Sequence, residues 1–245
     1  MKLQPGYETR PDDSYFQDCV KTPLTEEEAT YYLKTAWKNI FNIYPNKDSL
    51  ALLWAQSLGE TGRWKLLRNF NWGNIKRKSN NQKYTSYEAG EYLNRKYQLF
   101  YPYHPQTFFA AWDSPLEGAE AYIRFLSGRS RYAKAWVCLM AGDPVQYCAE
   151  LKKAGYFTDK LEHYTKGVVS LTNEFKSKAD RLMAWEPPPE APEEPPEPVL
   201  KPEPTPEPPQ EEKPSEPDSA KPKPNRNFWT FLVSILKKLA PFLKK

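Results

Sequence analysis

Cysteine is scarce in this 245-residue chain: only Cys19, Cys138 and Cys148 occur, with no CxxC pair and no Cys/His cluster. Such usage reads as reduced thiols, two of them in helix cores. The opening MKLQPGYETRPDD has no apolar stretch, so no secretory signal is expected. A protein made in the cytoplasm and acting outside it would then need another way out, such as a virus particle, a holin or cell lysis. No zinc finger, helix-turn-helix or stacking-sheet motif accompanies the net charge of +4, which argues against a nucleic-acid partner. No internal repeat is visible.

Proline and aromatics are abundant (Pro 25, Trp 8, Tyr 16, Phe 12), and they are unevenly distributed. Residues 1–185 carry a net charge of about +6, residues 186–226 about −6 and residues 227–245 about +4. A basic, aromatic-rich domain suits an acidic polymer or a carbohydrate. The stretch 186–226 holds sixteen prolines among Glu and Lys. It cannot build a core and reads as a polyproline II linker of about 3.1 Å per residue; a Pro-rich ligand for a recognition domain is the alternative.

In residues 227–245, NFWTFLVSILKKLAPFLKK, the side chains of Phe228, Leu232, Ile235, Leu239 and Phe242 share one stripe. Lys237, Lys238, Lys244 and Lys245 follow without an acid. The uncharged run is far shorter than the roughly 20 residues that span a bilayer. A basic amphipathic helix lying on a membrane surface fits better, with a helix docked on protein as the alternative.

Residues 1–24 are polar and read as an N-terminal arm with little structure. Residues 25–185 read as one mainly helical (α+β) domain with a small β-hairpin. Thr25-Glu-Glu-Glu28 is a capping box opening a helix to about Tyr44. Asn46 to Asp48 begin a second helix. Around Glu88-Ala-Gly-Glu91, residues from about Tyr84 to Leu99 alternate aromatic with polar and suggest a short β-hairpin or two ragged strands. Ser114-Pro115-Leu-Glu117 caps a helix ending near Gly128. Further helices are expected from about Arg131 to Met140, from Pro144 to before Gly155, and from a cap at Thr158 to about Leu182.

The second helix carries the residue of most interest. Leu50, Leu53, Trp54, Ser57 and Leu58 recur at helical spacing, and Gly62 sits where a left-handed residue ends a helix. Glu60 therefore falls in the last turn, where the helix dipole disfavours an anion by about 0.3–1 kcal/mol. Shielding by Trp64, Phe70 and Trp72 would raise its pKa further. A carboxylic acid protonated near neutral pH is what a general acid for glycosidic cleavage must be; the alternative is an exposed helix-end residue. In the following loop, NFNWGNIK, Gly73 permits a turn that a side chain would block. Asn71 and Asn74 carry amides that either grip sugar hydroxyls and N-acetyl groups or tie the loop together. Trp72 can face a pyranose ring.

ALLWAQSLGETGRW followed by NFNWGNIK resembles the catalytic helix and loop of lysozyme-like peptidoglycan hydrolases. The resemblance is to glycoside hydrolase family 73, the bacterial autolysin and flagellar β-N-acetylglucosaminidases. It continues through FAAWDSPLEGAEAYIRFL, SRYAKAW and LKKAGYFTD, and covers roughly Thr25 to Phe175. It implies a lysozyme-like fold and cleavage of β-1,4 bonds in peptidoglycan strands, without metal or cofactor. Glu60 becomes the general acid and Tyr156 the tyrosine facing it. Glu88, or alternatively Glu91, becomes the second carboxylate, while Tyr132 joins Asn71 and Trp72 as a groove candidate. The sequence departs from the family in a loosely matching hairpin and in a short insertion between Asp159 and Tyr164. A lytic transglycosylase or muramidase is the rival within enzymes; a non-catalytic wall-binding or membrane-active protein is the rival from another class. One catalytic domain, a long spacer and a cationic tail suggest a phage lysin or virion-associated wall enzyme.

Overall fold

In the computed structural model, which describes residues 9–93 and 96–188, helix α1 (Glu26–Phe41) starts at the capping box. The Thr25 hydroxyl accepts from the Glu28 N–H, and the Glu28 carboxylate accepts from the Thr25 N–H. The helix stops at Phe41 rather than Tyr44. Asn42 turns left-handed (φ 59°) and its N–H closes on the Lys38 carbonyl. The described residues all lie in one compact unit, Met1–Ala191. The expected linker from residue 189 onward, the tail 227–245 and the first eight residues of the arm lie outside them.

Helix α2 (Lys47–Glu60) is capped by Asn46, whose side chain accepts from the Ser49 N–H. The sequence suggested a one-sided apolar stripe, but every residue from Ser49 to Leu58 is buried. No charge occurs between Asp48 and Glu60, and a helix apolar all round belongs in the middle of a bundle. Accordingly α2 packs against α1, α4 (Ala133–Met140) and, most extensively, α6 (Leu161–Ala184). Trp54 anchors this core, 5.2 Å from the Trp64 ring and 5.4 Å from Phe175.

Helices α3 (Pro115–Ser127) and α5 (Pro144–Lys153) start at the Ser114-Pro115 and Asp143-Pro144 signals. A short 3-10 turn, Ser130–Tyr132, precedes α4. Thr158 does not cap α6. The Lys152 ammonium takes the carbonyls of Thr158 and Asp159, at 2.9 and 2.6 Å, and the helix begins only after extended Lys160.

The β element is two small antiparallel sheets rather than one hairpin. Strands β2 (Ala89–Leu93) and β3 (Lys96–Phe100) form the expected hairpin, with Ala89 opposite Phe100. Strand β1 (Tyr84–Ser86) instead pairs with β4 (Phe108–Ala110). Residues 13–24 of the arm are also more ordered than expected: Phe16 bridges Tyr84 and Lys21 bridges Arg68, which straps the arm along the loop after α2. All three cysteines are free; Cys148 is buried, Cys138 half-buried and Cys19 exposed. No described helix is long and apolar enough to cross a membrane.

Helix α3 lies so close to the α2 loop that a Cβ on Gly118 would stand 2.0 Å from the Phe70 carbonyl oxygen. Gly118→Ala should therefore cost about 2–3 kcal/mol in urea unfolding. Gly167→Ala, on α6 with nothing within 4 Å of the added methyl, should stabilise by roughly 0.5–1 kcal/mol.

Candidate active site

The site is built where α2 ends. Gly62 takes φ +55° and the Arg63 N–H reaches back to the Leu58 carbonyl at 2.8 Å, closing the helix as its glycine suggested. Ser57, buried one turn earlier, ties the following loop to the helix. Its hydroxyl donates to the Trp72 carbonyl and accepts from the Trp64 indole N–H, both at 3.0 Å.

Two expected substrate contacts are structural instead. Asn71 is 0 % exposed. Its amide donates to the carbonyls of Ile75 and Ala110 (2.9 Å each) and accepts from the Ile75 N–H at 2.7 Å, so both its hydrogens are used and the buried group is out of a sugar's reach. Trp72 is likewise 0 % exposed, with its indole N–H donating to the Pro115 carbonyl at 3.0 Å, so its ring fills the core and meets no pyranose. Both corrections have one cause. Left-handed residues at Asn69 and Phe70 turn this part of the loop inward, and the apolar face of α3 offers it more burial than the groove does.

Gly73 and Asn74 do reach the groove wall. The Asn74 amide is occupied, donating to the Glu60 backbone carbonyl at 2.7 Å and accepting from the Tyr87 hydroxyl at 3.0 Å. It satisfies a carbonyl left open by the helix end rather than gripping a sugar.

The Glu60 side chain lines a cavity of about 610 Å³, together with Tyr132, Tyr156, Glu88 and Glu91. That volume falls within the roughly 300–1,000 Å³ range of ligand clefts. The carboxyl is largely enclosed, and this desolvation pushes its pKa from 4.5 up to about 7; a hydrogen bond from the Tyr164 hydroxyl at 3.2 Å pulls weakly the other way. Burial holds the phenols of Tyr122, Tyr147, Tyr156 and Tyr164 well above their ordinary range, and the Glu60 charge raises each further. The acid thus faces neutral hydroxyls. Tyr156 stands on the same cavity wall as Glu60, its hydroxyl buried and without a partner among the described residues. Tyr132 packs against it, ring centroids 5.7 Å apart, and is nearly buried.

Of the two candidate second carboxylates, Glu91 is ion-paired with Lys76. Glu88 stands exposed at the start of the hairpin. Among the described residues no three His, Cys, Asp or Glu side chains are grouped to hold a metal ion.

Tyr164 and Gln56 were not singled out from the sequence. Tyr164 lies on α6 one turn before Val168, a spacing that marks the inner face. Gln56 sits four residues before Glu60 in an otherwise apolar helix, and its carbonyl oxygen accepts from the hydroxyls of both Tyr122 and Tyr147. A lone amide in such a run was the available signal.

Residues 32–177 match the glucosaminidase family, described as mannosyl-glycoprotein endo-β-N-acetylglucosaminidase. Among solved structures the chain is similar to a peptidoglycan hydrolase from Sphingomonas sp. A1, at 22% identity over 67% of this chain and 97% of that one, TM-score 0.46. It is similar to the glycoside hydrolase domain of Salmonella typhimurium FlgJ, at 20% identity over 62% and 98%, TM-score 0.43. A third is the catalytic domain of the autolysin Auto from Listeria monocytogenes, at 18% identity over 64% and 88%, TM-score 0.44. No curated protein matches the sequence. The family match spans more than half of the chain and includes Glu60, both candidate carboxylates and the site tyrosines: the protein belongs to the glucosaminidase family of glycoside hydrolases.

Proposed function

We propose that the domain hydrolyses the β-1,4 glycosidic bond of peptidoglycan strands as an endo-β-N-acetylglucosaminidase. The observation that carries this reading is Glu60, a carboxyl on a groove wall with a pKa of about 7. Near neutral pH it holds a proton that it can give to the leaving glycosidic oxygen. As the C–O bond breaks, positive charge develops on the sugar ring. Glu88, exposed and lining the same cavity, or the acetamido oxygen of the substrate itself then stabilises that charge or takes a proton from the attacking water. Tyr164 keeps the acid in place, and the Tyr156 side chain lines the cavity beside it.

The same proposal extends to the ends of the chain on sequence grounds. The spacer 186–226 and basic tail 227–245 support a phage-derived or virion-associated wall enzyme held at a membrane surface while its domain sweeps the wall nearby.

Glu60→Gln should lower turnover on purified peptidoglycan by at least ~10² with glycan binding retained. Wild-type kcat/KM should fall as pH rises through about 7, because the active form is protonated. Mass spectrometry of the muropeptides should find reducing N-acetylglucosamine ends; anhydro ends would mean transglycosylation. Stability should follow the same group. Between pH 4.5 and about 7 the unfolded state has lost the proton that the native state keeps, so native stability drops across that window. Glu60→Gln should then be the more stable protein at pH 8, by up to about 3 kcal/mol, and gain little at pH 4. Removing residues 186–245 should leave cutting of soluble wall fragments intact and reduce co-sedimentation with anionic lipid vesicles.

A further inference from the structure

Phe125, on the outer part of α3, is flanked by two cations. The Arg129 guanidinium carbon lies 4.0 Å from its ring centroid and the Lys78 ammonium 5.0 Å. Lys78 comes from the chain leading into the β element and Arg129 from the turn after α3, so the fold brings them together. Neither has a carboxylate partner among the described residues. Burial lowers the pKa of Lys78, and the Arg129 charge lowers it further.

Several other cations are neutralised: Arg63 by Glu174, Lys178 by Glu26 and Glu174, and Lys76, in the same groove, by Glu91, while Arg68, also on the groove, lies alone over the Tyr87 ring, 4.7 Å from its centroid. Two like charges over one ring lose by their mutual repulsion part of what each gains from the ring face, about 0.5–1 kcal/mol per cation at an exposed site. An anion placed between them would remove that cost. Both residues, and Phe125, line the cavity that holds Glu60, so the anion belongs to whatever occupies the groove.

We propose that Lys78 and Arg129, braced on Phe125, form a carboxylate subsite of the groove that binds the peptide stem carried by alternate sugars of the glycan. The inference rests on the peptidoglycan reading above. In that polymer the hydroxyl and acetamido groups are neutral, and the carboxylates sit on the stem, or on the lactyl ether once the stem is removed. The enzyme should therefore favour peptide-bearing over denuded strands.

The test compares wild type, a Lys78→Gln/Arg129→Gln double variant and a charge-keeping Lys78→Arg/Arg129→Lys variant. Each is assayed on peptide-bearing peptidoglycan and on amidase-stripped glycan, whose lactyl carboxylate is free. The Gln variant should raise KM on peptide-bearing strands about tenfold, with kcat unchanged and KM on stripped glycan within about twofold of wild type. The charge-keeping variant should match wild type. Added salt should raise the wild-type KM more steeply on peptide-bearing than on stripped strands, a readout that survives even if the Gln variant fails to fold. An equal rise on both substrates, a rise on stripped glycan alone, a rise in the charge-keeping variant or no rise anywhere overturns the subsite. A wild type that cuts neither substrate overturns the peptidoglycan reading, and the subsite with it.

Discussion

Removal of water from one carboxyl group is the constraint on which this structure turns. Glu60 loses most of its hydration, and one phenol hydrogen bond, at 3.2 Å from Tyr164, does not replace it. The group responds by keeping its proton up to about pH 7. That protonated state is a consequence of position: the acid is carried on a helix whose preceding residues are buried on every side. Packing against α1, α4 and α6 holds that helix buried as far as Leu58, and Gly59 and Glu60 emerge from it at the cavity.

The polar residues around the acid are arranged to leave it uncharged. Gln56, one turn earlier, gathers the hydroxyls of Tyr122 and Tyr147, so those buried phenols are satisfied without drawing on Glu60. Ser57 and Asn74 pin the loop against the helix end, and Asn71 holds the loop's own turn. The Tyr156 hydroxyl is left over, buried and unpaired on the cavity wall. The Gln56 amide nitrogen is likewise buried without a partner, so two donors near the acid are left unsatisfied by the protein itself. The cations of the groove lie farther out and are absent from the causes that set the Glu60 pKa.

Local rules written into short stretches were readable from the chain. Thr25 and Ser114 cap the helices they were expected to cap, and Asn46 caps the helix expected to start there, because a side-chain oxygen beside an open N–H is a local event. Glu60 before Gly62 was legible for the same reason. Long-range choices were not. Trp72 could stack on a sugar or fill a core, and only the left-handed turns before it and the bare backbone of Gly118 decide for the core. The pairing of β1 with β4 passes over the hairpin between them, and no local pattern announces it. Tyr164 reaches Glu60 from a helix 104 residues further along the chain. The expected cause of the raised pKa was also partly misplaced: shielding by Trp64 and Trp72 was anticipated, but both turn into the core and the cavity beside the acid is lined by tyrosines.

A direct titration of the acid itself examines all of this most simply. With side-chain carboxyl carbons labelled with ¹³C in glutamate, and the Glu60 resonance assigned by its loss in Glu60→Gln, its chemical shift can be followed from pH 3 to 9. A midpoint near 7 is the expected result. A midpoint near 4.5, the value of a solvated glutamate, would show a hydrated carboxylate at the end of α2 and would contradict the account at its base.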